Sequence, residues 1–247
     1  MVTDDFVAVI DGSTSKSSRR YSLFSTNGAL AMHLVSKVLL HAKKDLTLSQ
    51  FCREATQAVR KKYRKKELPH LSEHPEDRMA ASAAVFSRLR RELWLVGDCQ
   101  CLVNGQLYNN PKPYEDSLAQ MRADETQRCL AAGVTVDQLR HKDTARDIII
   151  PHMLEAMKGQ NKTYAVIDGF DIPMDKVKRI SLTFEPFDIV LATDGYPVLM
   201  PTLNESEATL RQLLTNDPLN ISQFKATKAW MAGNDSFDDR AYIRIKV

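Results

Sequence analysis

Apolar and polar positions repeat with two different periods along this chain, and the switches between them mark out its elements. FVAVI (Phe6–Ile10) is apolar and rich in β-branched residues, and it stops at Asp11-Gly12, which predicts a buried strand. Ser13–Ser18 is a polar loop, and Arg20–Ser25 can be read as a second strand turning at Asn27-Gly28. From Ala29 to Ala42 the period changes, with Leu30, Leu34 and Val38 recurring at helical spacing. A second helix follows, capped by Thr47 or Ser49 and running to about Lys62. Pro69–Pro75 reads as a loop. It holds His70 and His74 at i,i+4 spacing, but the prolines argue against a helix there and so against a metal site.

Strands return at Met79–Arg88 and Glu92–Val103, the latter turning at Asn104-Gly105 into Gln106–Tyr108. Pro111 and Pro113 break the chain. Helices are expected at Ser117–Leu130 and Thr135–Met157, with a break at Pro151. Strands resume at Tyr164–Ile167, Lys176–Thr183 and Phe187–Thr193; a helix spans Glu205–Leu214 with Asn204 as cap, and Ala241–Val247 is the last strand. Strands and helices do not alternate singly. The order predicts an α+β sandwich, two packed antiparallel sheets flanked by helices, rather than a βαβ fold. Residues 1–247 read as a single domain with a helical insertion at about 114–157.

Composition narrows the function classes only a little. At 247 residues and 43% apolar, the chain can bury a core without metal or disulfide staples. Its net charge of +3 does not point to nucleic acid, and the basic run RKKYRKK (Arg60–Lys66) reads as a solvated helix end complementing the helix dipole. Cys52, Cys99, Cys101 and Cys129 lack zinc-knuckle spacing; Cys99-x-Cys101 lies in a strand, both thiols toward the core. No apolar run approaches the ~20 residues that span a bilayer, and the acidic start is not a signal peptide, so no membrane partner is expected and the cytoplasm is the expected setting.

The candidate chemistry sits at strand ends. AVIDG occurs twice, at Ala8–Gly12 and Ala165–Gly169, and LATDG (Leu191–Gly195) has the same shape. Asp11, Asp98, Asp194 and Asp239 each lie at or beside a strand end. Carboxylates gathered at one edge repel one another unless a cation intervenes, and Mg²⁺ or Mn²⁺ favours such oxygen ligands. Any single Asp-Gly is more simply a turn; the set is more specific than its members.

In order, FVAVIDG, LWLVGDCQCLVNGQLY, DIVLATDGYP and DDRAYIRI resemble the four core motifs of the PPM, or PP2C-type, metal-dependent protein serine/threonine phosphatases, over nearly the whole chain. The resemblance implies a PP2C-like sandwich with two Mn²⁺ or Mg²⁺ ions at one edge. Asp11 would bridge them, the Gly12 carbonyl would help hold one, and Asp194 and Asp239 the other. Asp98 matches a position that, in bacterial members, helps bind a third, weaker ion. The implied activity is phosphomonoester hydrolysis by a metal-bridging water, with phosphoserine or phosphothreonine protein as partner substrate. Asp168, in the second AVIDG, matches no ligand and reads as a structural turn.

Three departures accompany the resemblance. The family's segment before the first strand, with an acidic residue and often a phosphate-binding arginine, is expected to be missing. Ser13 stands where many members carry a histidine that protonates the leaving group, and serine is a poor general acid. Thr14, Ser15 and Lys16 replace the glycines that often follow. Lys16, Arg19 or Arg20 would supply the positive charge for phosphate. These departures keep open a PP2C-like regulatory or binding module without catalysis. An actin-like ATPase or sugar kinase would accept IDGSTS, but AVIDGFDIP lacks the glycines of its second phosphate loop. A haloacid-dehalogenase phosphatase needs Asp-x-Asp, and Ser13 removes its second aspartate.

Overall fold

The computed structural model describes residues 1–247. Strands β1 (Phe6–Gly12), β2 (Ala81–Ser87) and β3 (Glu92–Val96) and the later β6 (Lys178–Ser181) form one antiparallel sheet in the order β1-β2-β3-β6. Strands β4 (Gln100–Val103), β5 (Gln106–Tyr108), β7 (Asp188–Ala192) and β8 (Tyr242–Lys246) form a second, in the order β5-β4-β7-β8.

Side-chain alternation decides the layers, because successive residues of a strand face opposite sides. Val7, Val9, Phe86, Leu93 and Leu95 of the first sheet meet Cys101, Ile189 and Leu191 of the second between the sheets, with Cys99. The intervening Phe6, Ala8, Val85 and Trp94 face α1 (Asn27–Leu40) and α2 (Leu48–Arg60), where Trp94 stacks on Phe51. On the far side, Leu102 and Val190 receive Leu210 and Leu214 of α7 (Leu203–Asn216). The architecture is the expected α+β sandwich, two antiparallel sheets with helices outside. No helix is long and apolar enough to cross a membrane. All four cysteines are free, and Cys99 and Cys101 lie in the core as expected.

Several boundaries differ from the periodicity. Arg20–Ser25 forms no strand. The β1 edge it needs is taken by the first residues, where Ala8 N–H bonds the Met1 carbonyl and Val2 bridges Val7. Pro69 sits in the first turn of a short helix, α3 (Leu68–Glu73), where its missing N–H costs nothing. Glu92–Val103 is two strands in two sheets. Gly97, at φ +82°, turns the corner, in a conformation a side chain would strain. Tyr164–Ile167 makes only isolated bridges, Ile167 to Ala81 and Tyr164 to Gln160. The cap of α7 is Thr202, reciprocated by Glu205, rather than Asn204.

Between β5 and β6 lie α4 (Glu115–Ala131), α5 (Val136–His141) and α6 (Thr144–Met157). The helical break falls at Lys142–Asp143 and not at Pro151, which lies inside α6, because Asp143 caps α6 by accepting the Arg146 N–H at 3.0 Å. Asp143 also binds the buried Arg122 of α4 at 2.8 Å. Arg122 Nη1 in turn donates to the Leu219 carbonyl at 2.8 Å, and the Ala229 N–H donates to Asp143 at 3.0 Å. One buried ion pair thus ties α4 and α6 to the segment leading into β8. Removing one partner strands a charge away from water. Arg122→Ala is therefore expected to lower stability by about 3–5 kcal/mol, read as a lower urea midpoint with an unchanged slope.

Candidate active site

Hydrogen-bond register brings the acidic turns together. Asp11 pairs with Ser82 across β1 and β2, and the Ser82 hydroxyl binds the carboxylate of Asp98 at the Gly97 corner. Asp194 follows β7, whose partner β8 carries the chain back from Asp238-Asp239. Gly195 is required there by close approach. A Cβ on it would stand 2.2 Å from the Asp239 carbonyl oxygen.

Asp11, Asp98, Asp194 and Asp239 line one cavity of about 150 Å³, together with the backbone of Gly12. The side chains of Asp11 and Asp194 lie within hydrogen-bonding reach of each other. Burial pushes the Asp11 carboxyl up, and nearby Asp98 and Asp238 add to it. Burial raises Asp194 well above the usual carboxylate range, with the charges of Asp98 and Asp11 adding. Asp194 Oδ1 is buried without a hydrogen-bond partner. Asp98 differs. Burial pushes it up too, but Lys112 and Ser82 hold it below its ordinary value.

Cations enclose the carboxylates. Lys16 and Arg146 line this cavity, as does Lys228, which pairs with Asp238. Burial, followed by the charges of Arg146 and Lys228, lowers the Lys16 ammonium to about 8. The same three cations line an adjoining cleft of about 950 Å³, where the buried Ser236 hydroxyl has no partner. Arg19 and Arg20 stand apart from them. Arg19 is paired with Glu67 at 3.3 Å and Asp77 at 3.5 Å, and both arginines line a separate cavity beside Asp11, Gly12 and Asp239.

The second AVIDG lies elsewhere. Asp168 is fully buried, bound to Arg78 at 2.8 Å and to Asn161 at 2.8 Å, and Arg78 lies over the Phe170 ring. It is a structural turn.

Lys112, Arg146 and Lys228 were not legible as site residues. Arg146 carried a signal, since it lies in the first turn of α6, where a cation opposes the helix dipole. Lys112 sits between Pro111 and Pro113, and Lys228 in an irregular segment, so neither has a periodicity to expose it.

No three His, Cys, Asp or Glu side chains converge closely enough here to hold an ion. The donor set nevertheless fits a hard divalent cation at Asp11 and Asp194: two part-buried carboxyls within reach of each other, and one buried oxygen without a partner.

No protein-family model matches the sequence, and no curated protein matches it. Among solved structures, it is similar to bacterial serine/threonine phosphatases. The catalytic domain of PstP, solved with two manganese ions, is 14% identical, with 87% of this chain and 83% of that chain covered and a TM-score of 0.43. PstP/Ppp of Mycobacterium tuberculosis is 15% identical, with 87% and 82% covered and a TM-score of 0.39. Stp1 of Staphylococcus aureus is 12% identical, with 85% and 78% covered and a TM-score of 0.38. Identities of 12 to 15% leave the chemistry to be read from the cleft's own side chains.

The Gly195 contact gives a test of how the site is held. Gly195→Ala is expected to push Asp239 outward, lowering stability by about 1–3 kcal/mol, read as a lower urea midpoint with an unchanged slope.

Proposed function

We propose that this chain is a metal-dependent phosphomonoester hydrolase acting on phosphorylated protein. The observation that carries the reading is the buried Asp194 oxygen without a partner, in a cavity that also holds Asp11, Asp239 and three side-chain cations, Lys16, Arg146 and Lys228. Asp11, the Gly12 carbonyl, Asp194 and Asp239 would hold Mn²⁺ or Mg²⁺. Bound there, such ions supply an acidified water and neutralise phosphoryl charge.

The chain's own residues have the remaining roles. Lys16, Arg146 and Lys228 receive the phosphoryl oxygens, and the carboxylates opposite keep those cations from repelling one another apart. The Ser236 hydroxyl is a further donor in the adjoining cleft. Helix α6 forms part of the wall through Met153 and Met157, narrowing access to the carboxylates. Cys99 is no nucleophile, because burial pushes its thiol far up and it packs between the sheets.

A second reading has its own support. Lys112 already occupies Asp98, and Ser13 lines the cavity where a proton donor would serve. Both features favour a module that binds a phosphorylated partner without turning it over.

Hydrolysis of p-nitrophenyl phosphate separates the two. Turnover with Mn²⁺ that stops with EDTA and falls at least about a thousandfold, ~4 kcal/mol, in Asp194→Asn supports the hydrolase. No turnover by folded protein leaves the binding module.

The pH profile tests Lys16. With its ammonium at about 8, the cleft loses a positive charge as pH rises through that value. KM is expected to rise above pH of about 8 in the wild type, and the rise should flatten in Lys16→Arg, which stays charged. Lys16→Met should raise KM by about tenfold, ~1.4 kcal/mol, at neutral pH.

A further inference from the structure

Lys112 has no part in the proposed hydrolysis, although it lines the same cavity. Its ammonium meets Asp98 directly and stands 3.3 Å from Glu115 in the first turn of α4. Its side chain is only 15% exposed and that of Asp98 only 9%. The other Asp98 oxygen takes the Ser82 hydroxyl. Both oxygens of Asp98 are therefore satisfied, whereas Asp194 Oδ1 has nothing.

The cavity thus contains two kinds of carboxylate. Asp11 and Asp194 are not paired with a cation, since the nearby Lys112 and Lys228 go to Asp98 and Asp238. Asp98 has a covalently tethered one. The tether is stiff, because Pro111 and Pro113 fix the backbone on both sides of Lys112, which lowers the entropy lost in holding the ammonium in place. A divalent ion at Asp98 would have to displace a lysine held by two carboxylates, or share a carboxylate with it at short range. Both are costly in a buried site. Displacement would also strand an ammonium away from water.

We propose that Lys112 is a resident cation of the active site, which removes Asp98 from metal binding and confines bound ions to Asp11, Asp194 and Asp239. The inference rests on the metal-site reading above and deepens it. Because Lys112 also touches Glu115, the same ammonium joins the floor of the cavity, at the β3–β4 corner, to its helical wall.

The test counts ions on the full chain. Mn²⁺ is titrated into wild type, Lys112→Met and the double variant Lys112→Met/Asp98→Asn, with free Mn²⁺ followed by electron paramagnetic resonance. Lys112→Met is expected to bind one more Mn²⁺ per chain than wild type, and the double variant to lose that gain. Equal numbers in wild type and Lys112→Met overturn the proposal. If wild type binds no Mn²⁺ and Lys112→Met binds one, the metal-dependent hydrolase fails and the role of Lys112 stands. If wild type binds Mn²⁺ and Lys112→Met adds none, the reverse holds.

A measurement on wild type covers a Lys112→Met that does not fold. In ¹H–¹⁵N spectra of lysine ammonium groups, the Lys112 signal is assigned by its loss in Lys112→Arg. Saturating Mg²⁺ is expected to leave that signal in place. Its merger with those of exposed lysines on adding Mg²⁺ overturns the proposal.

Discussion

Repulsion among part-buried carboxylates is the constraint on which this molecule turns. Two sheets packed face to face bring the ends of β1, β3 and β7 to one edge, and each end carries an aspartate. Burial leaves their charge poorly solvated and lifts the carboxyls of Asp11 and Asp194 above their ordinary values. Positive charge must come from elsewhere, and it arrives from segments far apart in sequence: Lys16 after β1, Lys112 before α4, Arg146 on α6 and Lys228 before β8. The sandwich supplies the acids, and the segments around it supply the bases.

That division explains what could be read from sequence. The sandwich was legible because strand alternation and Asp-Gly ends are local signals. Phe6–Ile10 and Asp188–Ala192 announce themselves by their own residues. The corner at Gly97 was not, since Glu92–Val103 is apolar on both sides of it and only the change of sheet distinguishes the halves. Arg20–Ser25 failed for a related reason: a strand needs a free edge, and that edge was filled by residues whose own sequence has no strand pattern.

The convergence of the acidic strand ends was legible and the cations gathered around them were not. An aspartate before a glycine at a strand end has a recognisable setting. A lysine in a loop has none, because its reach is long and its target is set by tertiary packing. Of the three basic residues expected to serve phosphate, only Lys16 lines the cavity that holds all four aspartates, while Arg19 and Arg20 face Asp11 and Asp239 from a separate one. Arg19 is drawn off by Glu67 and Asp77. The two AVIDG copies make the same point, since identical pentapeptides end at a cavity shared with other carboxylates in one case and in a salt bridge with Arg78 in the other.

The Arg122–Asp143 pair has a consequence for how such a chain can change over evolutionary time. Arg122 reaches backbone carbonyls 97 and 104 residues away, and Asp143 caps α6 while accepting the Ala229 N–H. Carbonyls and amides are common to nearly every residue, so these bonds constrain the path of the segment before β8 but not its side chains. Side chains facing the cleft from that segment are free to vary while its course is kept. A lineage could therefore alter what the cleft accepts by point substitution there, whereas lengthening or shortening the segment would require α4 and α6 to change in the same step.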